Sequence, residues 1–101
     1  MTPEGKLKKE VKAYLKSLNA YFFMPVQTGY GATTLDFLVC INGRFVAIET
    51  KAPGRWPTLR QDRVIREIIQ AGGIAFATDS LERTKKYIED HVLGKYQPDR
   101  E

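Results

Sequence analysis

Two apolar runs flank the dipeptide Asn42-Gly43, and this hairpin pattern is the strongest constraint on how the chain folds. The runs are LDFLVCI at 35–41 and RFVAIET at 44–50. Asn-Gly between two β-rich runs favours a two-residue type I′ turn, in which Ile41 pairs with Arg44. Both runs are apolar on both alternating faces, so we predict that helices cover both faces of the sheet.

Helices and strands alternate along the rest of the chain. Thr2 and Pro3 suit the cap and first position of a helix that ends near Asn19. We predict an α/β domain with a mixed sheet in the order α-β-β-β-α-β-α. Besides the hairpin and this first helix, its segments are a strand at 21–26, a Gly-rich loop at 27–34, a basic loop at 51–58, a helix at 59–71, a strand at 74–78 and a helix that ends near residue 92.

The chain is mildly basic, with 101 residues, a net charge of +4 and a sequence pI near 9.3. That balance favours a polyanionic partner such as a nucleic acid. The length fits one domain, at 1–94, followed by a tail at 95–101 that we expect to be disordered. A single cysteine permits no internal disulfide, and no apolar stretch approaches the ~20 residues that span a bilayer, so we expect a cytoplasmic protein.

The hairpin register brings two acidic residues together. Counting outward from the turn, Asp36 lies opposite Glu49, and Lys51 shares their face. Opposed carboxylates repel each other unless a cation intervenes. Lys51 supplies one charge, and a divalent cation such as Mg²⁺ or Mn²⁺ supplies more. The alternative is that both acids are exposed at a sheet edge, with Lys51 as a surface partner.

Two further polar residues fall on apolar helix faces. Glu4 projects into the stripe of Leu7, Val11 and neighbouring apolar residues, although glutamate in a first helical turn is also favoured by the helix dipole. Gln61 lies on the sheet-facing side of its helix, and its spacing from Thr58 also fits a capping box. Each residue therefore has a site interpretation and a purely structural one.

Basic and aromatic residues suit a nucleic-acid surface. Arginine clamps phosphate, and tryptophan stacks on bases. The alternative is a solvated set of charges around one packing tryptophan. The candidate nucleic-acid-binding residues are Lys8, Lys9, Lys12, Arg55, Trp56, Arg60 and Arg63.

Asp36 followed by Glu49-Thr50-Lys51 on the next strand resembles the PD-(D/E)xK nuclease superfamily. The segments GRWPTLRQ and QAGGIAFAT are similar to those of its VRR-Nuc branch. The acid-x-Lys tripeptide alone is unspecific, because Glu4-Gly-Lys6 also satisfies it, but the ordered set covers nearly the whole chain. Leu35 stands where the family usually has proline before the aspartate.

The resemblance implies a restriction-endonuclease-like core and a Mg²⁺- or Mn²⁺-dependent nuclease. Asp36 and Glu49 would hold the metal, with the Thr50 backbone carbonyl as a further ligand and Glu4 acting directly or through water. Lys51 would orient water or offset charge, and Gln61 would position Lys51 or the phosphate. The resemblance also implies a homodimer of phage or bacterial type that cuts branched DNA, such as a Holliday junction or a flap.

Two other functions are compatible with these residues. The chain could be a catalytically silent, basic nucleic-acid-binding module, although unpaired carboxylates would then repel phosphates. It could also be a protein-interaction domain whose acids are ordinary surface charges. One cysteine and one histidine cannot build a zinc site, and no nucleophile–histidine arrangement is evident.

Overall fold

The structure, a computed structural model, describes residues 1–26 and 34–94. Within those ranges the element order is α-β-β-β-α-β-α, as predicted. The predicted loop at 27–34, apart from its last residue, and the predicted tail at 95–101 lie outside the described residues. The elements are α1 (Pro3–Ser17), β1 (Tyr21–Phe23), β2 (Phe37–Ile41), β3 (Arg44–Thr50), α2 (Leu59–Gln70), β4 (Ile74–Thr78) and α3 (Leu81–His91).

The four strands form one mixed sheet in the order β1-β2-β3-β4 within the described ranges. β1, β2 and β3 are antiparallel neighbours, and β4 runs parallel to β3 after the α2 crossover. Asn42 and Gly43 both have positive φ, at 54° and 74°, which the predicted type I′ turn requires. The predicted register is confirmed from Ile41↔Arg44 outward to Phe37↔Ile48.

Two strands are shorter than the sequence predicted. β1 ends at Phe23 rather than at residue 26, because Pro25 cannot donate to a ladder. β2 begins at Phe37 rather than at residue 35, so the ladder stops one residue before the expected pair of Asp36 and Glu49. At this position the Asp36 side chain, rather than its backbone, bonds to β3.

Helices cover both faces of the sheet, as predicted. Residues of α1 and α3 pack on one face, where Val11 and Ile88 are fully buried with Phe37, Val46 and other strand residues. On the other face a smaller cluster contains Leu35, Ala47 and Ala75, with the apolar side of α2 against it. None of the helices in the described ranges is long and apolar enough to cross a membrane.

The helix ends that flank the site are capped as predicted. Thr2 accepts a hydrogen bond from the Gly5 amide at 3.0 Å, which fixes the start of α1. Thr58 and Gln61 form a complete capping box at the start of α2. Both helix N-termini are therefore held in place beside the end of β3.

Candidate active site

Three carboxylates converge where β3 ends. Glu4 comes from the first turn of α1, Asp36 immediately precedes β2, and Glu49 is the penultimate residue of β3. Each offers an oxygen, and the three oxygens lie within 4.8 Å of one another. They line an open cleft of about 690 Å³, here called the carboxylate cleft. Among the residues that line it are Glu4, Lys8, Asp36, Glu49, Lys51 and Gln61.

Asp36 is fixed by the strand beside it. Its Oδ2 accepts one hydrogen bond from the Thr50 amide at 2.9 Å and another from the Thr50 hydroxyl at 2.7 Å. Thr50 is fully buried and Asp36 is only 7% exposed. The other oxygen, Oδ1, lies 3.6 Å from Lys8 Nζ. One oxygen of Asp36 is thus bound to the sheet while the other faces the carboxylate cleft.

Glu49 is the most deeply buried of the three acids, at 3% exposed. Its Oε2 accepts a hydrogen bond from Gln61 Nε2 at 2.8 Å and lies 4.0 Å from Lys51 Nζ. Burial raises the pKa of Glu49 to about 7, and the negative charges of Asp36 and Glu4 act in the same direction against the opposing effect of Lys51. The protein alone therefore does not fully compensate a charged Glu49.

The donor set fits a hard divalent cation. Three ionised carboxylates beside two ammonium groups, those of Lys8 and Lys51, leave a net charge of −1. Clustered carboxylate oxygens are the ligands that Mg²⁺ and Mn²⁺ prefer. Burial and then the neighbouring negative charges raise the pKa of Glu49, and a bound cation offsets both because it offers the ionised carboxylate an opposite charge.

Gln61 makes both of the contacts that the sequence offered as alternatives. Its Oε1 accepts a hydrogen bond from the Thr58 amide at 2.9 Å, and the Thr58 hydroxyl accepts one from the Gln61 amide at 3.2 Å. At the same time its Nε2 donates to Glu49. The first turn of α2 is thereby connected directly to the acid at the end of β3.

Lys8 belongs to the candidate active site, although the sequence pattern predicted it for the nucleic-acid surface. It was predicted as a phosphate contact on the surface of α1, whereas the structure places it at Asp36. The available signal was its spacing: Lys8 is one turn after Glu4, so both project from the same side of α1. If Glu4 faces a cluster of acids, a lysine four residues later faces it too.

The other predicted nucleic-acid residues divide between three places. Arg60 lines the carboxylate cleft. Arg55 and Trp56 line a second cleft on the other side of Lys51. The remaining three, Lys9, Lys12 and Arg63, are exposed on helix surfaces and outside the residues that line either cleft. Thr50 contributes its amide and hydroxyl to Asp36, and the ligand role of its carbonyl stays a prediction.

Comparison with known proteins identifies the fold. No protein-family model matches the sequence, and a search of curated proteins finds no match either. A solved structure described as a VRR_NUC domain is similar to this chain, with a TM-score of 0.78 and 24% sequence identity. The similarity covers 90% of this chain and 99% of that one. The chain therefore has the fold of a VRR-Nuc domain, as its residue pattern predicted.

Proposed function

We propose that this protein is a metal-dependent nuclease that hydrolyses phosphodiester bonds in DNA. The observation that carries the proposal is the convergence of Glu4, Asp36 and Glu49 within 4.8 Å, with Lys51 against Glu49. Two of these acids are buried, and burying repelling carboxylates has a free-energy cost that a plain structural role does not explain. The proposed nuclease domain spans residues 1–94.

The proposed metal ligands are Asp36 and Glu49, with the Thr50 carbonyl and with Glu4 acting directly or through water. The cation is Mg²⁺ or Mn²⁺, because the side-chain donors are all carboxylate oxygens. Such a cation, when bound, supplies Lewis-acid chemistry that activates water and offsets charge on a phosphate.

The protein's own residues hold this arrangement in place. The two hydrogen bonds from Thr50 fix Asp36, and the hydrogen bond from Gln61 fixes Glu49. Lys51, which lines the same cleft, orients the attacking water or stabilises the extra negative charge that develops on the phosphate. Fixed groups of this kind lower the barrier because they need not reorganise during the reaction.

DNA is the proposed substrate because the carboxylate cleft is open and has basic residues around its acids. Lys8 and Arg60 line it, and the chain has a net charge of +4. These cations attract the phosphate backbone to the cleft that holds the acids. Branched DNA, either a Holliday junction or a flap, is the substrate class that the resemblance implies. The proposed place of action is the cytoplasm of a bacterial or phage-infected cell, as the resemblance implies.

The proposed functional unit is a homodimer, in which a second copy covers an apolar face of the sheet. α2 packs over β3 and β4, whereas Tyr21, Phe23, Cys40 and Phe45 are exposed on the same face. β1 is an edge strand, and the sequence has no charged residue between Lys16 and Asp36. Two copies of a basic chain meet with least repulsion through an uncharged surface, and exposed apolar patches of this kind mark interaction sites.

Sedimentation of the purified protein tests this dimer. We expect a dimer for the wild type and a monomer for Phe23→Lys, because two like charges would face each other across the two-fold axis. Ile69→Lys changes a similarly exposed apolar residue on α2 that is not one of these four residues, and it should remain a dimer. A wild-type monomer at high concentration would contradict the proposed assembly.

A cleavage assay tests the nuclease itself. Linear and branched DNA are incubated with the wild type, Asp36→Asn and Lys51→Ala in Mg²⁺, in Mn²⁺ and in chelator. We expect metal-dependent cleavage by the wild type and none by either variant. Matched controls are Asp90→Asn and Lys86→Ala, which change an exposed ion pair of α3 and should cleave normally.

Two outcomes would overturn the assignment. Cleavage that persists in Asp36→Asn or Lys51→Ala protein would show that the reaction occurs elsewhere. DNA binding that is independent of metal, with no cleavage of any substrate, would instead support the silent nucleic-acid-binding module.

A further inference from the structure

A second cleft lies on the other side of Lys51 from the carboxylates. It has a volume of about 390 Å³ and lies between the 51–58 loop, the end of β4 and the first turn of α3. We call it the Trp56 cleft. The residues that define it here are Lys51, Arg55, Trp56, Ile65, Phe76 and Arg83.

Trp56 is presented to solvent by an anchored loop. Its side chain is 84% exposed, although large aromatic side chains normally bury most of their surface. The loop backbone, by contrast, is held on both sides of Trp56: the Gly54 amide donates to Asp79 Oδ2 at 3.1 Å, and the Thr58 amide donates to Gln61 Oε1 at 2.9 Å. The exposed ring therefore projects from a fixed support.

Lys51 and the charges around Trp56 connect the two clefts. Lys51 lines both of them. Arg55 adjoins Trp56, and Arg83 lies at the same cleft in an ion pair with Asp79 at 3.2 Å. Asp62 and Asp79 also line the Trp56 cleft, so its three cations leave a net charge of +1. A polynucleotide whose phosphate lies beside Lys51 can therefore extend from the carboxylate cleft into a second cleft of net positive charge.

We propose that the Trp56 cleft binds an unpaired nucleobase of the nucleotide next to the cleaved phosphate, stacked on the Trp56 ring. This inference rests on the proposed nuclease function and names the substrate feature that the site recognises. A base that is paired inside a duplex can reach the Trp56 ring only if it loses its base pair and its stacking contacts. The substrate class is therefore DNA with an unpaired nucleotide beside the scissile bond, such as a flap or a junction between single and double strands.

Tryptophan fluorescence tests this stacking directly, because Trp56 is the only tryptophan in the sequence. The wild-type protein is titrated in Ca²⁺, and gels verify that the DNA stays intact. The three ligands are a flap, the same flap with an abasic site at the junction nucleotide, and the matching duplex. We expect the flap to quench the fluorescence, and the abasic flap and the duplex to quench it much less at equal occupancy. The occupancy is measured by the anisotropy of labelled DNA.

Substitutions give a second, independent measurement. Trp56→Ala should weaken flap binding roughly 5- to 100-fold, and Trp56→Phe should retain most of the affinity, because stacking on an aromatic ring needs no hydrogen bond. The matched control is Ile69→Ala. It removes an apolar side chain that is 52% exposed and is outside the residues that line either cleft, so the ratio of flap to duplex affinity should not change.

The outcomes separate this inference from the proposed function. Quenching that depends on the base supports the Trp56 cleft. If cleavage depends on metal but the intact and abasic flaps quench equally, the proposed base binding in the Trp56 cleft is wrong and the proposed nuclease function is unaffected. Failure of every DNA ligand to bind overturns both.

Discussion

Gln61 Nε2 donates a 2.8 Å hydrogen bond to Glu49 Oε2. Oε1 of the same side chain accepts a hydrogen bond from the backbone amide of Thr58, the N-cap residue of α2. One side chain therefore caps a helix and fixes a proposed metal ligand. The position of the acid depends on the helix start, and the helix start depends on the acid.

Gln61→Glu tests this double role. Glutamate keeps the oxygen that caps Thr58 but places a fourth carboxylate against Glu49. We expect the free energy of unfolding to fall by about 1–3 kcal/mol, because Glu49 loses a donor and gains a repelling charge. The loss should grow as pH rises through about 7, where Glu49 ionises. Urea unfolding at several pH values measures both effects.

Thr58→Ala is the control for the capping contribution alone. It removes the hydroxyl that accepts from the Gln61 amide and leaves the hydrogen bond to Glu49 available. We expect it to lower stability by about 0.5–2 kcal/mol with no dependence on pH in this range. If Gln61→Glu behaved like Thr58→Ala at every pH, the contact with Glu49 would have no energetic role.

The raised pKa of Glu49 predicts how the metal-free protein responds to pH. Between its ordinary value of 4.5 and about 7, the folded state holds a proton that the unfolded state has released. Stability from this group is therefore fully present below pH 4.5, declines as pH rises and is lost above about pH 7. Unfolding in chelator should show that decline for the wild type and not for Glu49→Gln.

Divalent cations should reverse this pH trend. A cation binds the ionised carboxylates, so Mn²⁺ should raise the unfolding midpoint more above pH 7 than near pH 4.5. Identical pH profiles for the wild type and Glu49→Gln would contradict the raised pKa of Glu49.

Lys8 and Lys9 are adjacent lysines that the structure assigns to different environments. Lys8 lies 3.6 Å from Asp36 in the carboxylate cleft, whereas Lys9 is exposed on α1. We expect Lys8→Ala to lower kcat/KM by roughly tenfold or more, because it removes a charge-assisted contact from the site. Lys9→Ala should only weaken DNA binding slightly.

Cleavage kinetics at several salt concentrations distinguish the two lysines. Loss of a pure phosphate contact mainly reduces the salt dependence of binding. If Lys8→Ala and Lys9→Ala lowered kcat/KM equally, Lys8 would act only as a surface contact, and its position beside Asp36 would have no catalytic role.

The hairpin was predictable because its determinants are local. Asn42-Gly43 specifies a turn, the turn fixes the register, and alternation then places Glu49 and Lys51 on one face. Glu4 was predictable as a candidate from helical projection alone. These features depend on residues within a few positions of one another, so no knowledge of the packed structure was needed.

The contacts that complete the site depend on how distant elements pack. The ladder stops before Asp36 because the Thr50 amide and hydroxyl bond to its side chain, a geometry that strand pairing rules do not contain. Lys8 reaches Asp36 only because α1 packs on the sheet with its first turns beside the end of β3. The simultaneous contacts of Gln61 likewise require the position of α2 against β3.

A crystal of the wild-type protein soaked in Mn²⁺ tests the central claim most directly. Anomalous scattering locates the ion without reference to activity, and an Asp36→Asn crystal serves as the matched control. The proposed site predicts an anomalous peak within coordination distance of both Asp36 and Glu49, and a weakened or absent peak in the variant. No peak at these carboxylates at saturating Mn²⁺ would contradict the metal site and the nuclease mechanism built on it.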